Sequence, residues 1–224
     1  MLIHGLLAAS LALGGAPAST TQAKIDCTKV KCLALTFDDG PGTSTAKLLK
    51  ILKKERAKAT FFLTGKYVDQ RPRLARRTLA EGHAIGNHTY SHFSLRPRLE
   101  EEILDDIQAG QEAIKRATGH TATMFRPPFG HTDERVLRVA DQLNLAEVKW
   151  TGTTLDWSLK DKKKIAAKVL GLAKRDGIIL MHDTVPQTVQ AMPGVIRELK
   201  KQGYHLVTVP QLYGGKLKPG VSYP

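Results

Sequence analysis

The chain has 224 residues, 42% of them hydrophobic and 25% charged, enough for one globular domain with a substantial core and unlike a low-complexity chain. Thirty-four Lys and Arg against 21 Asp and Glu give a net charge of +13, which suits an anionic setting such as an acidic cell wall or a membrane surface. The basic residues are scattered over helical stretches with no RNA-binding or helix-turn-helix signature beside them, so no nucleic-acid partner is expected.

The chain begins with an apolar run over 6–15 that is too short to span a bilayer. Ala16-Pro17-Ala18 follows as a small-residue cleavage site, so 1–18 reads as a signal peptide, although only the terminal amine and His4 supply its charged start. A secreted or wall-associated location is therefore expected, and no other segment is suited to a transmembrane span. Residues 19–30 are small and polar, a linker before a domain over 31–215. The two cysteines, Cys27 and Cys32, stand just ahead of the first strand. In an exported chain they are expected to form a disulfide closing a tight loop, worth roughly 2 kcal/mol in loop entropy.

The first strand is Leu33-Ala34-Leu35-Thr36-Phe37, which stops on Asp38-Asp39 and breaks at Gly40-Pro41. Ser44 is placed to cap a helix over 44–56 that buries Leu48, Ile51 and Leu52. A strand over 58–63 follows, then a basic helix over 68–80 with Leu74 and Leu79 inward, then a short strand over 82–87 leading into His88-Thr89-Tyr90-Ser91-His92. The longest helix, 97–118, carries Leu99, Ile103, Ile107, Gly110, Ile114 and Ala117 at helical spacing and ends on Gly119. A strand at 124–126 is cut short by Pro127-Pro128. A helix over 133–143, a strand over 146–150 and a loop over 151–157 come next. The pattern closes with a helix over 165–173, the apolar strand 177–183, a helix over 189–201 and a strand over 205–209. Strands and helices alternate about seven times, which predicts a parallel sheet covered by helices. Alternation does not choose between a barrel and a doubly wound sheet, but both place their sites at the C-terminal ends of strands, where the chemically interesting residues of this chain fall.

Two adjacent acids at a strand end repel unless one binds a metal and the other pairs with a base or a proton. His88 and His92, four apart, project to one side if they share a helical turn and then grip one ion. With Asp39 they form a two-histidine, one-carboxylate set with room for water, suited to zinc or another divalent transition metal. His83, His120, His131 and His205 match no such set.

Five motifs occur in order: Thr36-Phe37-Asp38-Asp39-Gly40-Pro41, His88-Thr89-Tyr90-Ser91-His92, Arg126-Pro127-Pro128-Phe129-Gly130, Leu155-Asp156-Trp157 and Leu180-Met181-His182-Asp183. Together they resemble the polysaccharide deacetylase family, the carbohydrate esterase group 4 or NodB-homology domain, over nearly all of 31–212. The resemblance implies an α/β fold, a distorted (β/α)7-8 barrel of the NodB-homology type. It also implies metal-assisted removal of acetyl groups from acetylated sugars, with Zn2+ as the expected ion and Co2+ as an alternative.

Carried over by position, Asp39, His88 and His92 are the metal ligands. Asp38 is the base, Arg126 its partner, His182 the acid and Asp156 the carboxylate that orients that acid. The Phe129 N–H matches the oxyanion donor, while Trp157 and Leu180 match the walls of the acetyl pocket. Two positions depart from the pattern: Thr153 stands where many relatives have an acid, and Phe129 replaces a common Tyr. The expected substrate is an acetylated polysaccharide or oligosaccharide, peptidoglycan or chitin-like, attacked by a monomer at carbon–nitrogen bonds. O-deacetylation of acetylxylan and a non-catalytic wall-binding module are the alternatives, and the intact acid, base and ligand set argues against the latter.

Overall fold

The first strand, β1 (Cys32–Gly40), forms the axis of the fold, and every one of its residues except Asp39 is buried. The computed structural model describes residues 25–224; the signal peptide expected over 1–18, and 19–24 of the linker, lie outside the described residues. The Cys27–Cys32 disulfide is present. Arg175 donates to the carbonyls of Cys27 and Thr28, holding this entry loop.

The elements after β1 are α1 (Thr45–Lys54), β2 (Thr60–Leu63), α2 (Gly65–Gln70), α3 (Pro72–Ala80), β3 (Ala84–Asn87), α4 (Glu100–Thr118), β4 (Met124–Phe125), α5 (Glu134–Gln142), β5 (Ala146–Val148), β6 (Gly152–Thr153), α6 (Asp156–Leu159), α7 (Lys162–Leu172), β7 (Gly177–His182), α8 (Pro186–Lys201), β8 (His205–Val207), α9 (Val209–Leu212) and β9 (Ser222–Tyr223). A short 3₁₀ turn, Pro128–Gly130, follows β4. The strands are ordered β6-β7-β1-β2-β3-β4-β5-β9, and every pairing is parallel.

β7 pairs with Leu33 to Asp38 along one edge of β1. A strand has only two edges, so β8, at Cys32 to Ala34, and β2, at Thr36 to Gly40, share the other. The result is a curled, distorted barrel whose outermost strands, β6 and β9, are not paired to each other among the described residues.

Alternation along β1 sorts its side chains between two layers. Leu33, Leu35 and Phe37 join the large core under the helices, with Leu48, Leu52, Phe61, Ile179 and Ile196. Ala34 points into the curl with Phe62, Met124, Val148 and Ile178. Thr36 and Asp38 share the parity of Ala34, so polar groups enter the curl as β1 approaches its C-terminal end.

Several local expectations are revised. The single helix over 68–80 is two helices, because Pro72 lacks an N–H and Arg71 before it leaves helical geometry. Ala75 and Thr78 are its buried residues, with Leu74 and Leu79 only half-buried. Ser44 precedes α1, but its hydroxyl makes no capping bond. The loop over 151–157 contains strand β6 and the start of α6. The sheet also runs on past 215, because Ser222 and Tyr223 pair with Glu147 and Val148.

Candidate active site

Asp38 and Asp39 would face opposite ways in a regular strand. The β1–β2 register shifts between Asp38 and Gly40, and Asp39 takes a left-handed φ of +69°. This bulge turns both carboxylates to the same mouth: Asp38 Oδ2 lies 3.8 Å and Asp39 Oδ1 3.4 Å from His88 Nε2.

His88 and His92 reach that mouth without a helix. The segment after β3 is irregular, and Thr89 and His92 both have positive φ, +59° and +63°. The expected helical turn is absent. Instead, the Thr89 hydroxyl accepts from the His92 N–H, and Asp106 of α4 accepts from the N–H and hydroxyl of Ser91, pinning the loop.

His88 is buried, and its Nδ1 donates to the Arg126 carbonyl at 2.7 Å, which directs Nε2 into the mouth. His92 Nε2 lies 3.0 Å from Asp39 Oδ1. One donor atom from each of Asp39, His88 and His92 lies within 4.8 Å of the others. Asp39 Oδ1 is buried without a hydrogen bond, so it needs a cation, whether protons on the histidines or a metal. Burial would raise the Asp39 carboxyl, but the close imidazoles of His88 and His92 outweigh it and hold it well below the usual carboxylate range. Burial likewise disfavours charge on His88, and the acids Asp38 and Asp39 reverse that and raise it. A divalent ion can take the place of those protons, so the donor set fits a transition metal.

Arg126, at the end of β4, is wholly buried inside the curl. Its guanidinium donates to Asp38 Oδ1 and Thr36 Oγ1, both at 2.8 Å, and to the carbonyls of Val148 and Lys149, while stacking 4.0 Å from the Phe62 ring centroid. Asp38 keeps Oδ2 free of hydrogen bonds.

His182 ends β7 and pairs in register with Asp38. Asp156, fully buried, accepts from His182 Nδ1 at 2.7 Å, from the His182 N–H and from Thr188. Burial would lower the His182 pKa, but the bond to Asp156 and the charges of Asp156, Asp38 and Asp39 raise it to about 9. Nε2 faces the mouth, 3.9 Å from Asp39 Oδ2.

These groups surround a pocket of about 440 Å³, which also takes in Phe129, Trp157 and Leu180. Phe129 has a φ of +60°, and its N–H takes no part in the hydrogen bonds of the turn. All ten residues singled out for catalysis, metal or substrate are thus brought to one mouth or directly behind it.

Other contributors had no role assigned from the sequence, although Leu155 and Asp183 stand within its motifs. Trp150 and Leu155 line the same pocket. Thr188 holds Asp156 from across the sheet. Asp183, fully buried, accepts from the Thr45 hydroxyl, and burial pushes its carboxyl up to about 7. Its carboxylate lies 2.5 Å from where a Cβ at position 40 would stand, which accounts for Gly40. Asp183 belongs to a motif in the sequence, but nothing there gave it a role.

Residues 25–148 match the family model for polysaccharide deacetylases. The chain belongs to the polysaccharide deacetylase family. It is 39% identical over 194 residues to a peptidoglycan-N-acetylglucosamine deacetylase, PgdA, of Listeria monocytogenes, covering 86% of this chain and 41% of that protein. It is 32% identical over 204 residues to a chitooligosaccharide deacetylase of Bradyrhizobium, covering 84% of this chain and 93% of that protein. Among solved structures, a substrate-bound T48 deacetylase superposes with a TM-score of 0.86 at 40% identity, covering 89% of this chain and all of that one. The chain therefore spans about two-fifths of the Listeria deacetylase. Among the described residues, no helix of this family member is long and apolar enough to cross a membrane.

Proposed function

We propose that this chain is a secreted, metal-dependent deacetylase that hydrolyses N-acetyl groups of N-acetylglucosamine-containing polymers. The observation that carries this reading is the placement of a basic carboxylate, Asp38, and a protonated imidazole, His182, in register on neighbouring strands beside one metal-type donor set. Asp39, His88 and His92 would hold the ion, zinc by preference of the donors. When bound, a divalent cation supplies Lewis acidity, acidifying water and polarising a carbonyl.

The chain's own residues account for the rest. Asp38 Oδ2 takes a proton from the attacking water, while Arg126 holds Oδ1 and aims the carboxylate. The Phe129 N–H is free to donate to the developing oxyanion. As the C–N bond breaks, His182 Nε2 gives its proton to the leaving nitrogen, and Asp156 fixes the ring and its charge. Acetate and a free amine are the products. Leu180 and Trp157 exclude water from the methyl side of the pocket.

The names of the relatives favour peptidoglycan or chitin-type substrates. Release of acetate should be assayed side by side on peptidoglycan, chitin oligomers and acetylxylan, with zinc supplied and with zinc chelated. Turnover on the first two that is lost on chelation is expected. Turnover confined to acetylxylan, or undiminished by chelation, would overturn the proposal.

A further inference from the structure

Asp39 and His92 have a second side. On one side they border the pocket already described; on the other they border a separate cavity of about 250 Å³ walled by Lys66, Tyr67 and Arg71. A polymer whose acetyl group sits at the donor cluster continues past it, and the two sides offer that polymer different chemistry. The first is walled by Phe129, Trp150, Leu155 and Trp157. The second carries two cations and, apart from Asp39 itself, no carboxylate.

These cations have no carboxylate partner among the described residues. Arg77, Arg116, Arg135, Arg138 and Arg197 each pair with an acid. Neither Lys66 nor Arg71 forms an ion pair among the described residues. The Lys66 ammonium donates to the Ser91 carbonyl at 3.0 Å and lies 5.0 Å over the Tyr67 ring. The Arg71 guanidinium donates to the neutral side chain of Gln70. Both side chains are half-buried, and their backbones are fixed. Arg71 sits at the corner that Pro72 imposes between α2 and α3, and the Lys66 N–H is bonded to the Tyr90 carbonyl. Two uncompensated cations held beside a reaction centre attract an anionic substituent, the guanidinium by a two-pronged bond and the ammonium as a point charge.

We infer that the cavity walled by Lys66, Tyr67 and Arg71 is a subsite for a carboxylate-bearing branch of the glycan, which selects peptidoglycan-type strands over neutral chitin. The inference rests on the deacetylase reading above. Peptidoglycan strands carry carboxylates on their lactyl-peptide branches; chitin carries none. The net charge of +13 brings such a strand to the surface, and this cavity sets its position along the site.

The test uses the zinc-loaded full chain and two substrates: soluble peptidoglycan strands with free stem carboxylates, and the same strands with those carboxylates converted to methyl esters. Wild type, Lys66→Glu and Arg71→Glu are compared by acetate release. In wild type, kcat/KM for the free-acid strand should exceed that for the ester, mainly through KM, and the advantage should shrink as salt rises. Each charge reversal should lower the ratio of the two kcat/KM values by about ten-fold, equal to about 1.4 kcal/mol. A loop displaced by losing the Lys66–Ser91 bond would slow both substrates alike and leave the ratio in place. An unchanged ratio in both variants overturns the subsite while the deacetylase reading stands. Absence of acetate from both of these substrates in wild type overturns the subsite, and absence from chitin oligomers as well overturns the deacetylase reading with it.

Discussion

Two histidines at opposite ends of the barrel, His182 partly buried and His83 fully so, show what separates its working end from its structural end. His182 stands at the C-terminal mouth, with Asp156 behind its Nδ1 and Asp38 and Asp39 in front. His83 stands at the other end, before β3, with its Nδ1 accepting from the Ala59 N–H and with Lys58 nearby. Burial disfavours charge on both rings. Three carboxylates overturn that at His182 and carry it to about 9, whereas Lys58 reinforces it at His83 and takes it down to about 4. Depth of burial is therefore no guide to chemistry here. The sign of the surrounding charge is, and only the mouth is built to keep an imidazole protonated at neutral pH.

The largest effects should come from breaking the mouth itself. His88→Ala is expected to lose the bound ion, by elemental analysis, together with more than about a hundred-fold in kcat/KM, beyond what loss of a residue that merely supports a ligand causes. Asp38→Asn should keep the ion yet lose about 10²–10⁴-fold in kcat, the range for removal of a general base. Equal loss of ion from both variants would show that the two neighbouring acids do not divide the roles as assigned.

Next comes the charge behind His182. A general acid works only while protonated, so activity should fall as pH rises through the pKa of His182, at or below about 9 because a cation on Asp39 cancels that acid's share of the shift. Asp156→Asn removes the nearest carboxylate, and the alkaline limb of kcat should move towards the ordinary histidine value near 6.5. The measurement is kcat against pH with ion content checked at each point. A limb that stays in place would assign it to another group.

A smaller effect tests the packing of the mouth. Gly40→Ala drives a methyl into the Asp183 carboxylate, and overpacking of this kind costs about 1–3 kcal/mol, read as a lower urea midpoint.

The smallest effect sharpens the histidine comparison through stability. His182 binds its proton more tightly folded than unfolded, so its contribution is complete below about pH 6.5 and is lost as pH rises towards 9. His83 binds it less tightly folded, so its contribution is complete above about 6.5 and is lost as pH falls towards 4. Each slope is at most ~1.4 kcal/mol per pH unit. Urea unfolding of ion-free wild type against His83→Gln should show the acid-side slope flatten with the alkaline side untouched, and deacetylation at neutral pH should be unaffected. A flattened alkaline side would refute the division.

The sheet was largely legible in the sequence because strands buried on both faces leave apolar runs that punctuation residues bound, as in Leu33 to Phe37 and Ile178 to Met181. The two-residue strands at the sheet's edges leave no such run. β6 at Gly152–Thr153 and β9 at Ser222–Tyr223 exist only because a neighbour supplies their hydrogen bonds. The histidine pair was found by spacing, but it does not sit on the helical turn considered for it: Thr89 and His92 adopt left-handed backbone, and Ser91 between them is held by Asp106, a contact that local sequence does not encode. The motif residues were visible because they cluster at strand ends. Thr188, Thr45 and Trp150 were not, since each contributes through a contact made only when distant segments meet.

The register between β1 and β7 has a further consequence. Six successive residues pair from Leu33 with Gly177 up to Asp38 with His182, so the proposed base and acid sit on the same rung of a backbone ladder. Their spacing is graduated by the peptide repeat rather than by side-chain packing: a slip of one residue would carry His182 by about 3.3 Å and turn it to the opposite face. Every loop at the mouth can change length, sequence or charge without disturbing that measure. Such a scaffold can exchange the polymers it accepts while the distance over which protons move stays the same.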